Sequence, residues 1–217
     1  MKKLTYLIAG LLFFTLIAVI AFYKINNSKK KSAIVKPQLT KVSVNTVVPK
    51  TITILPIGNN LTPKFIWDAF NQIKKYLPSV GLDALTSFPS SAYNKKRGRY
   101  RADSLINWMS RLAKPNQVFI GITNVDISTT AHGYEDWGVM GLGKCPGNAA
   151  IASSFRLKNK TSFWKIAIHE LGHTTGLPHC PVKTCFMRDA EGGDPTGEEK
   201  EFCSKCKEVL LKNGWKL

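Results

Sequence analysis

The sequence predicts an α/β domain in which a sheet packs against one helix that carries several polar side chains. Three observations support this prediction. Strand-like and helix-like apolar patterns alternate between residues 50 and 174. Two histidines four residues apart lie near the end of that stretch. An uncharged run of about twenty residues, Leu4 to Tyr23, precedes the domain and is long enough to span a membrane as a helix.

The elements of the domain follow from local patterns. Residues 50–58 alternate β-branched side chains before a proline and a glycine, which predicts a strand. Residues 117–122 are apolar enough for a central strand, and residues 148–155 predict a short one. Apolar spacing predicts helices at 63–76, capped by Thr62, at 102–112, capped near Asp103, and at 162–174. Residues 123–147 are rich in glycine, aspartate and threonine, which predicts a loop.

The chain divides into three parts. Residues 1–23 are expected to form a transmembrane anchor or a signal segment, residues 24–48 a basic linker, and residues 49–217 the domain. The apolar run exceeds the usual core of a signal peptide, which favours an anchor. Lysines on both sides of the run give no clear orientation. We expect the domain to be membrane-anchored and extracytoplasmic, with secretion after cleavage as the alternative.

The charge is strongly basic and unevenly distributed. The formal net charge is +17, and residues 1–41 hold eight lysines and no acid, which leaves +9 (23 basic minus 14 acidic groups) on the rest. The lysines after the apolar run suit an anionic membrane surface. A second basic cluster covers residues 95–101. A solvated face, or one that attracts acidic substrates, is favoured for that cluster over nucleic-acid binding.

The most specific motif runs from His169 to His179. His169 and His173 lie four residues apart on a predicted helix, so their rings project from one face and can bind one metal ion. Glu170 can act as general base on a water that the metal activates. Gly176 lets the chain turn back, and His179 can supply a third ligand. Three protein ligands and an open fourth position are typical of a catalytic zinc.

Four of the five cysteines follow this motif. Cys180, Cys185, Cys203 and Cys206 have the spacing C-x4-C and C-x2-C, which suits a closed tetrahedral zinc site. Two disulfides are the alternative, since export would permit them. Cys145 is left over and is expected to be a free thiol.

These residues together resemble the archaemetzincins, a branch of the metzincin metalloproteases. The likeness covers roughly residues 50–217. It includes the histidine motif, the cysteine directly after it, the segment 185–187 and the late cysteine pair. Segments 121–126 and 154–157 also resemble the family. So do Pro89, Ala92, Tyr93, Asn94, Arg97, Gly98, Tyr100 and Ala102.

The resemblance implies a metzincin-like catalytic domain with a mixed twisted sheet packed against the zinc-binding helix. It implies two zinc ions per chain, one catalytic at the histidines and one structural at the cysteines. Met187 would pack in a turn beneath the catalytic site, and Glu170 would be the catalytic base. An extended peptide would pair with the strand that includes Gly147, Asn148, Ala149, Ala150 and Ile151.

Two functions are therefore expected in order of preference. The first is a monomeric zinc peptidase acting on a peptide or protein substrate. The second is an inactive, membrane-tethered zinc-binding scaffold. No phosphate-binding glycine loop and no serine or cysteine nucleophile with an ordered base is evident in the sequence.

Overall fold

The structure, a computed structural model, describes residues 50–217. The predicted anchor (1–23) and linker (24–48) lie outside the described residues. No helix within residues 50–217 combines the length and the apolar composition needed to cross a membrane.

Strands and helices alternate along most of the described chain. The strands are β1 (Thr51–Pro56), β2 (Gly81–Leu82), β3 (Tyr93–Asn94), β4 (Arg99–Arg101), β5 (Gln117–Thr123), β6 (Ile127–Ala131), β7 (Tyr134–Val139), β8 (Gly141–Gly143) and β9 (Ala149–Ser153). The α-helices are α1 (Pro63–Tyr76), α2 (Ala102–Leu112), α3 (Phe163–Thr174) and α4 (Ser204–Lys212). Short 3₁₀ turns cover Ser90–Ala92, Lys160–Ser162 and Pro195–Gly197.

The main sheet has five strands in the order β2-β1-β5-β9-β8. Its first four strands are parallel, and β8 pairs with β9 in the antiparallel sense. The sheet is therefore mixed, and β5 is its central strand as predicted. Side chains of β5 alternate between two cores: Ile120 packs with α1 and α3 on one face, and Phe119 packs with α2 on the other. The result is a three-layer arrangement that presents α3 beside the β8 edge.

The three predicted helices are present. Thr62 caps α1, since its hydroxyl oxygen accepts a hydrogen bond of 3.2 Å from the backbone N–H of Phe65. The helix α2 begins near Asp103 as predicted, but no side chain caps it. Arg101 is the N-cap of α2 and makes no side-chain cap, while the Asp103 carboxylate accepts hydrogen bonds from Arg101 and Thr129 instead.

The prediction of a loop for residues 123–147 is wrong. This stretch contains β6, β7 and β8, and the first two belong to a second sheet with the order β3-β4-β6-β7. Charged side chains stabilise this sheet as well as apolar packing. Its strands are therefore polar, and their sequences lack the clear alternation of apolar and polar residues that would predict a strand. Asp136 of β7 lies at the centre of these ion pairs.

The basic cluster of residues 95–101 supplies the cations of this second sheet. Arg97 and Arg99 lie 3.0 and 2.9 Å from Asp136, and Arg101 lies 2.9 Å from Asp103. Burial alone would raise the pKa of Asp136, but the Ser128 hydroxyl and these guanidinium groups lower it. The three arginines are therefore engaged with carboxylates of their own chain, while the side chains of Lys95, Lys96 and Arg97 are exposed.

Candidate metal centre and active-site cleft

Three imidazole rings meet at the C-terminal end of α3. The Nε2 atoms of His169 and His173 are 3.1 Å apart, and the His179 ring centroid lies 5.4 and 4.9 Å from theirs. Gly176, at φ +96°, allows the chain to leave the helix and bring His179 back. One nitrogen from each ring lies within 4.8 Å of the others, which is the arrangement needed to hold a single metal ion.

Backbone carbonyls fix the orientation of two of the rings. The Nδ1–H of His169 donates to the carbonyl oxygen of Phe186 at 2.7 Å, and that of His173 donates to the carbonyl of Leu177 at 2.7 Å. Because a carbonyl can only accept, each Nδ1 must carry the proton, and each Nε2 keeps its lone pair for a metal. The donor set therefore fits zinc.

Asp189 orients the third ring. Its Oδ2 lies 3.1 Å from Nδ1 of His179, which directs the other ring nitrogen toward the remaining histidines. The backbone N–H of Glu191 chiefly lowers the pKa of Asp189, and His179 lowers it further. No sequence motif marks Asp189 as part of the site; its only signal is an acid two positions after Met187.

Burial disfavours the charged forms of the site groups. It lowers the pKa of His169 to about 3 and also lowers that of His173, so both rings are unprotonated as metal ligands must be. Burial raises the pKa of Glu170 to about 8. The Glu170 side chain is only 6% exposed and lines the same cleft as the three histidines.

Strand β8 packs directly against Glu170. A Cβ atom on Gly141 would lie 2.4 Å from Oε1 of Glu170, and one on Gly143 would lie 2.5 Å from its backbone oxygen. Both glycines are thus required by the close approach of strand to helix.

Residues 147–151 were predicted to pair with a peptide, and this prediction is wrong for Ala149, Ala150 and Ile151. They belong to β9, which is buried and paired on both sides, by β5 and β8.

The two residues before β9, whose pairing with a peptide stays a prediction, make contacts within the fold. Asn148 is used internally, with hydrogen bonds between its side chain and Ser110. Gly147 donates its backbone N–H to the carbonyl of Thr174. The strand edge that faces the cleft belongs to β8.

Met187 lies beneath the histidines. It is fully buried, and its Sδ would be 2.4 Å from a Cβ placed on Gly172 of α3. The methionine therefore packs against the helix between the turns that carry His169 and His173. Its sulfur is occupied by this packing against α3.

The four late cysteines form a second cluster. One sulfur from each of Cys180, Cys185, Cys203 and Cys206 lies within 4.8 Å of the others. The sulfurs of Cys180 and Cys203 are 3.6 Å apart, well beyond the length of a disulfide bond, and all five cysteines are free. Four converging thiols suit a closed zinc site. The cluster lies next to the histidines in the chain, since Cys180 follows the third of them.

A cleft of about 650 Å³ gives access to the histidines. One wall is formed by β8 and by the β6–β7 hairpin, and the other by α3 and by residues 188–199. Trp137 and His132 line the hairpin side, with their ring centroids 5.1 Å apart. The cleft is large enough for several residues of an extended peptide.

Comparison with known proteins agrees with this geometry. A sequence model of Peptidase family M54 matches residues 66–212. The archaemetzincin of Methanopyrus kandleri is 30% identical over 157 residues, covering 68% of this chain and 87% of the relative. The archaemetzincin of Haloquadratum walsbyi is 29% identical over 176 residues, covering 73% of this chain and 98% of the relative.

Solved structures share the fold. The crystal structure of the Methanopyrus kandleri archaemetzincin superposes with a TM-score of 0.63 at 27% identity, covering 76% of this chain and 95% of that one. The archaemetzincin of Archaeoglobus fulgidus, solved in complex with malonate, gives a TM-score of 0.60 at 25% identity, covering 73% and 99%. The chain described here therefore belongs to the archaemetzincins, Peptidase family M54, a family of zinc metallopeptidases.

Proposed function

We propose that this chain hydrolyses peptide bonds with a water activated by zinc at His169, His173 and His179, and with Glu170 as general base. The observation that carries the proposal is the convergence of one nitrogen from each of three imidazole rings beside one buried carboxylate. When bound there, zinc would supply Lewis acidity toward both the water and the carbonyl oxygen of the substrate. No tyrosine follows Met187 in the sequence, so a tyrosine from that segment does not assist.

Glu170 would move the proton. Its carboxylate would accept a proton from the attacking water and pass it to the leaving amine. Burial supports this role, because a carboxylate with raised proton affinity can hold the proton between the two steps. The packing of Gly141 against Oε1 limits the positions that the carboxylate can take.

The substrate would bind along β8. This short strand pairs with β9 on one side, and its other edge faces the cleft in the described part of the chain. A peptide in extended conformation could add to that edge through backbone hydrogen bonds. This places the peptide backbone next to Glu170, which lies directly against the same strand.

The cysteine cluster would hold a second, structural zinc. The backbone N–H of Cys180 donates to the carbonyl of Met187 at 2.7 Å, which joins the third-histidine segment to the methionine turn. A metal that held the four thiolates would fix both segments at once. We therefore infer two zinc ions per chain with different roles.

Cleavage of a peptide library by the purified, zinc-loaded chain tests this function. We expect cleavage that stops when a chelator removes the metal and returns when zinc is added back. Identification of the fragments by mass spectrometry would also show whether cleavage is internal or at the amino terminus. A zinc-loaded chain that binds peptides but leaves the library intact would instead establish the scaffold function.

Substitution of Gly141 by alanine tests the contact between β8 and Glu170. The added Cβ would overlap Oε1 of Glu170, so the strand or the carboxylate must shift. A misplacement of about 1 Å at a catalytic group can reduce activity by about 10²-fold, and we expect a loss of that order in kcat/KM. Gly197→Ala is the matched control, because a Cβ there would meet nothing within 4 Å. Equal activity of the two variants would contradict the claim that the contact with β8 fixes the position of the Glu170 carboxylate.

A further inference from the structure

A second buried carboxylate, besides that of Glu170, lines the cleft that gives access to the histidines. Glu199 follows the 3₁₀ turn Pro195–Gly197 and is only 4% exposed. It lines the same cleft as Ile166 and His169, which lie one helical turn apart on α3. Glu199 therefore adds an acidic group to the lining of the cleft.

The Glu199 carboxylate has no direct partner within residues 50–217. Lys165, its nearest source of positive charge, donates to the backbone carbonyls of Thr196 and Glu199 at 2.6 and 2.7 Å. The Arg188 guanidinium pairs instead with Glu198 at 2.7 Å. Burial raises the pKa of Glu199 to about 7, and these two cations, acting from a distance, offset only part of that effect.

No Lys or Arg side chain that lines the cleft is paired with Glu199 in the described residues. The lining includes four carboxylates and three Lys or Arg side chains. Two of those three cations, Arg156 and Arg188, are already paired with Asp126 and Glu198, which lie outside the lining. A buried carboxylate without a partner is stabilised when a cation reaches it.

We propose that Glu199 forms a subsite that selects peptide substrates with a lysine or arginine side chain close to the cleaved bond. The aliphatic stem of that side chain would pack against Ile166, and its charged end would reach the carboxylate. This inference rests on the proposed peptidase function and names the substrate class. Glu199 acts on substrate binding and takes no part in proton transfer.

Cleavage-site profiles of the wild type and of Glu199→Gln test the subsite. Both proteins digest the same equimolar peptide library, and mass spectrometry identifies the cleaved bonds. We expect lysine and arginine to be enriched at one fixed position in the wild-type profile, and the enrichment to fall at least about 10-fold in the variant. Glu208→Gln, which makes the same charge change on an exposed face of α4, should keep the wild-type profile. Zinc content and the unfolding temperature confirm that Glu199→Gln is folded.

A binding measurement separates this proposal from the peptidase function. In a Glu170→Gln background, a fluorescent peptide with lysine at the preferred position should bind at least about 10-fold more tightly than the same peptide with norleucine. Adding Glu199→Gln should remove that difference. A wild type that cleaves with no basic preference overturns the subsite and leaves the peptidase function intact. If no cleavage is seen at all, the peptidase proposal fails, and equal binding of the two peptides would overturn the subsite as well.

Discussion

Glu170→Gln is expected to reduce peptide cleavage by about 10²–10⁴-fold while the protein keeps its zinc. The amide has nearly the same shape as the carboxylate but cannot accept the proton of the attacking water. Glu170 is also buried, so the isosteric change leaves its packing against Gly141 in place. The three histidines are unchanged and should hold the metal with wild-type stoichiometry.

The measurement compares kcat/KM and zinc content of the wild type, Glu170→Gln and Glu208→Gln. The last variant carries the same chemical change on the exposed face of α4 and should behave as the wild type. Wild-type turnover in the Glu170→Gln protein would show that another group accepts the proton. Loss of zinc together with activity would instead assign Glu170 a role in the structure of the metal site.

Cys206→Ser is expected to lower both zinc content and stability. Cys206 is buried within the cysteine cluster, and its helix α4 contributes Leu210 to the main core. A serine hydroxyl is a poor substitute for a thiolate ligand, so zinc per chain should fall from two to one. Because the binding free energy of a structural zinc counts toward folding, the free energy of unfolding should fall by several kcal/mol.

Cys145→Ser is the matched control for this experiment. Cys145 is the one cysteine outside the cluster, and its thiol donates to the carbonyl of Leu177 at 3.4 Å. Metal analysis and urea unfolding should give nearly wild-type values for this variant. If Cys206→Ser retained two zinc ions and wild-type stability, the four thiols would not form a structural metal site. Thiol titration of the unfolded wild type would then show whether disulfides replace the metal.

The sequence was sufficient to predict those features of the fold and the site in which one residue type dictates one local geometry. Histidines four apart on an amphipathic helix must share a face, and a glycine after the helix permits the turn that returns His179. Thr62 could be recognised as a cap for the same reason, since its hydroxyl acts on its own helix. These local rules need no knowledge of the rest of the fold.

Sequence was insufficient where the neighbours of an element decide its role. Residues 149–151 were expected to pair with a peptide, and in the fold they belong to β9 and pair with β5 and β8 instead. The polar residues of β6 and β7 resembled a loop because their partners, the arginines of β4, lie about thirty positions away. Asp189 and Glu199 carry no motif, and only folding brings them to the histidines and the cleft.

A crystal structure of the zinc-loaded chain tests the central claim most directly. We predict one zinc bound by His169, His173 and His179, with no fourth protein ligand and with the Glu170 carboxylate facing the open position. A site closed by a further donor, such as the Asp189 carboxylate or the Cys145 thiol, would contradict the claim. So would three rings too far apart to share one ion.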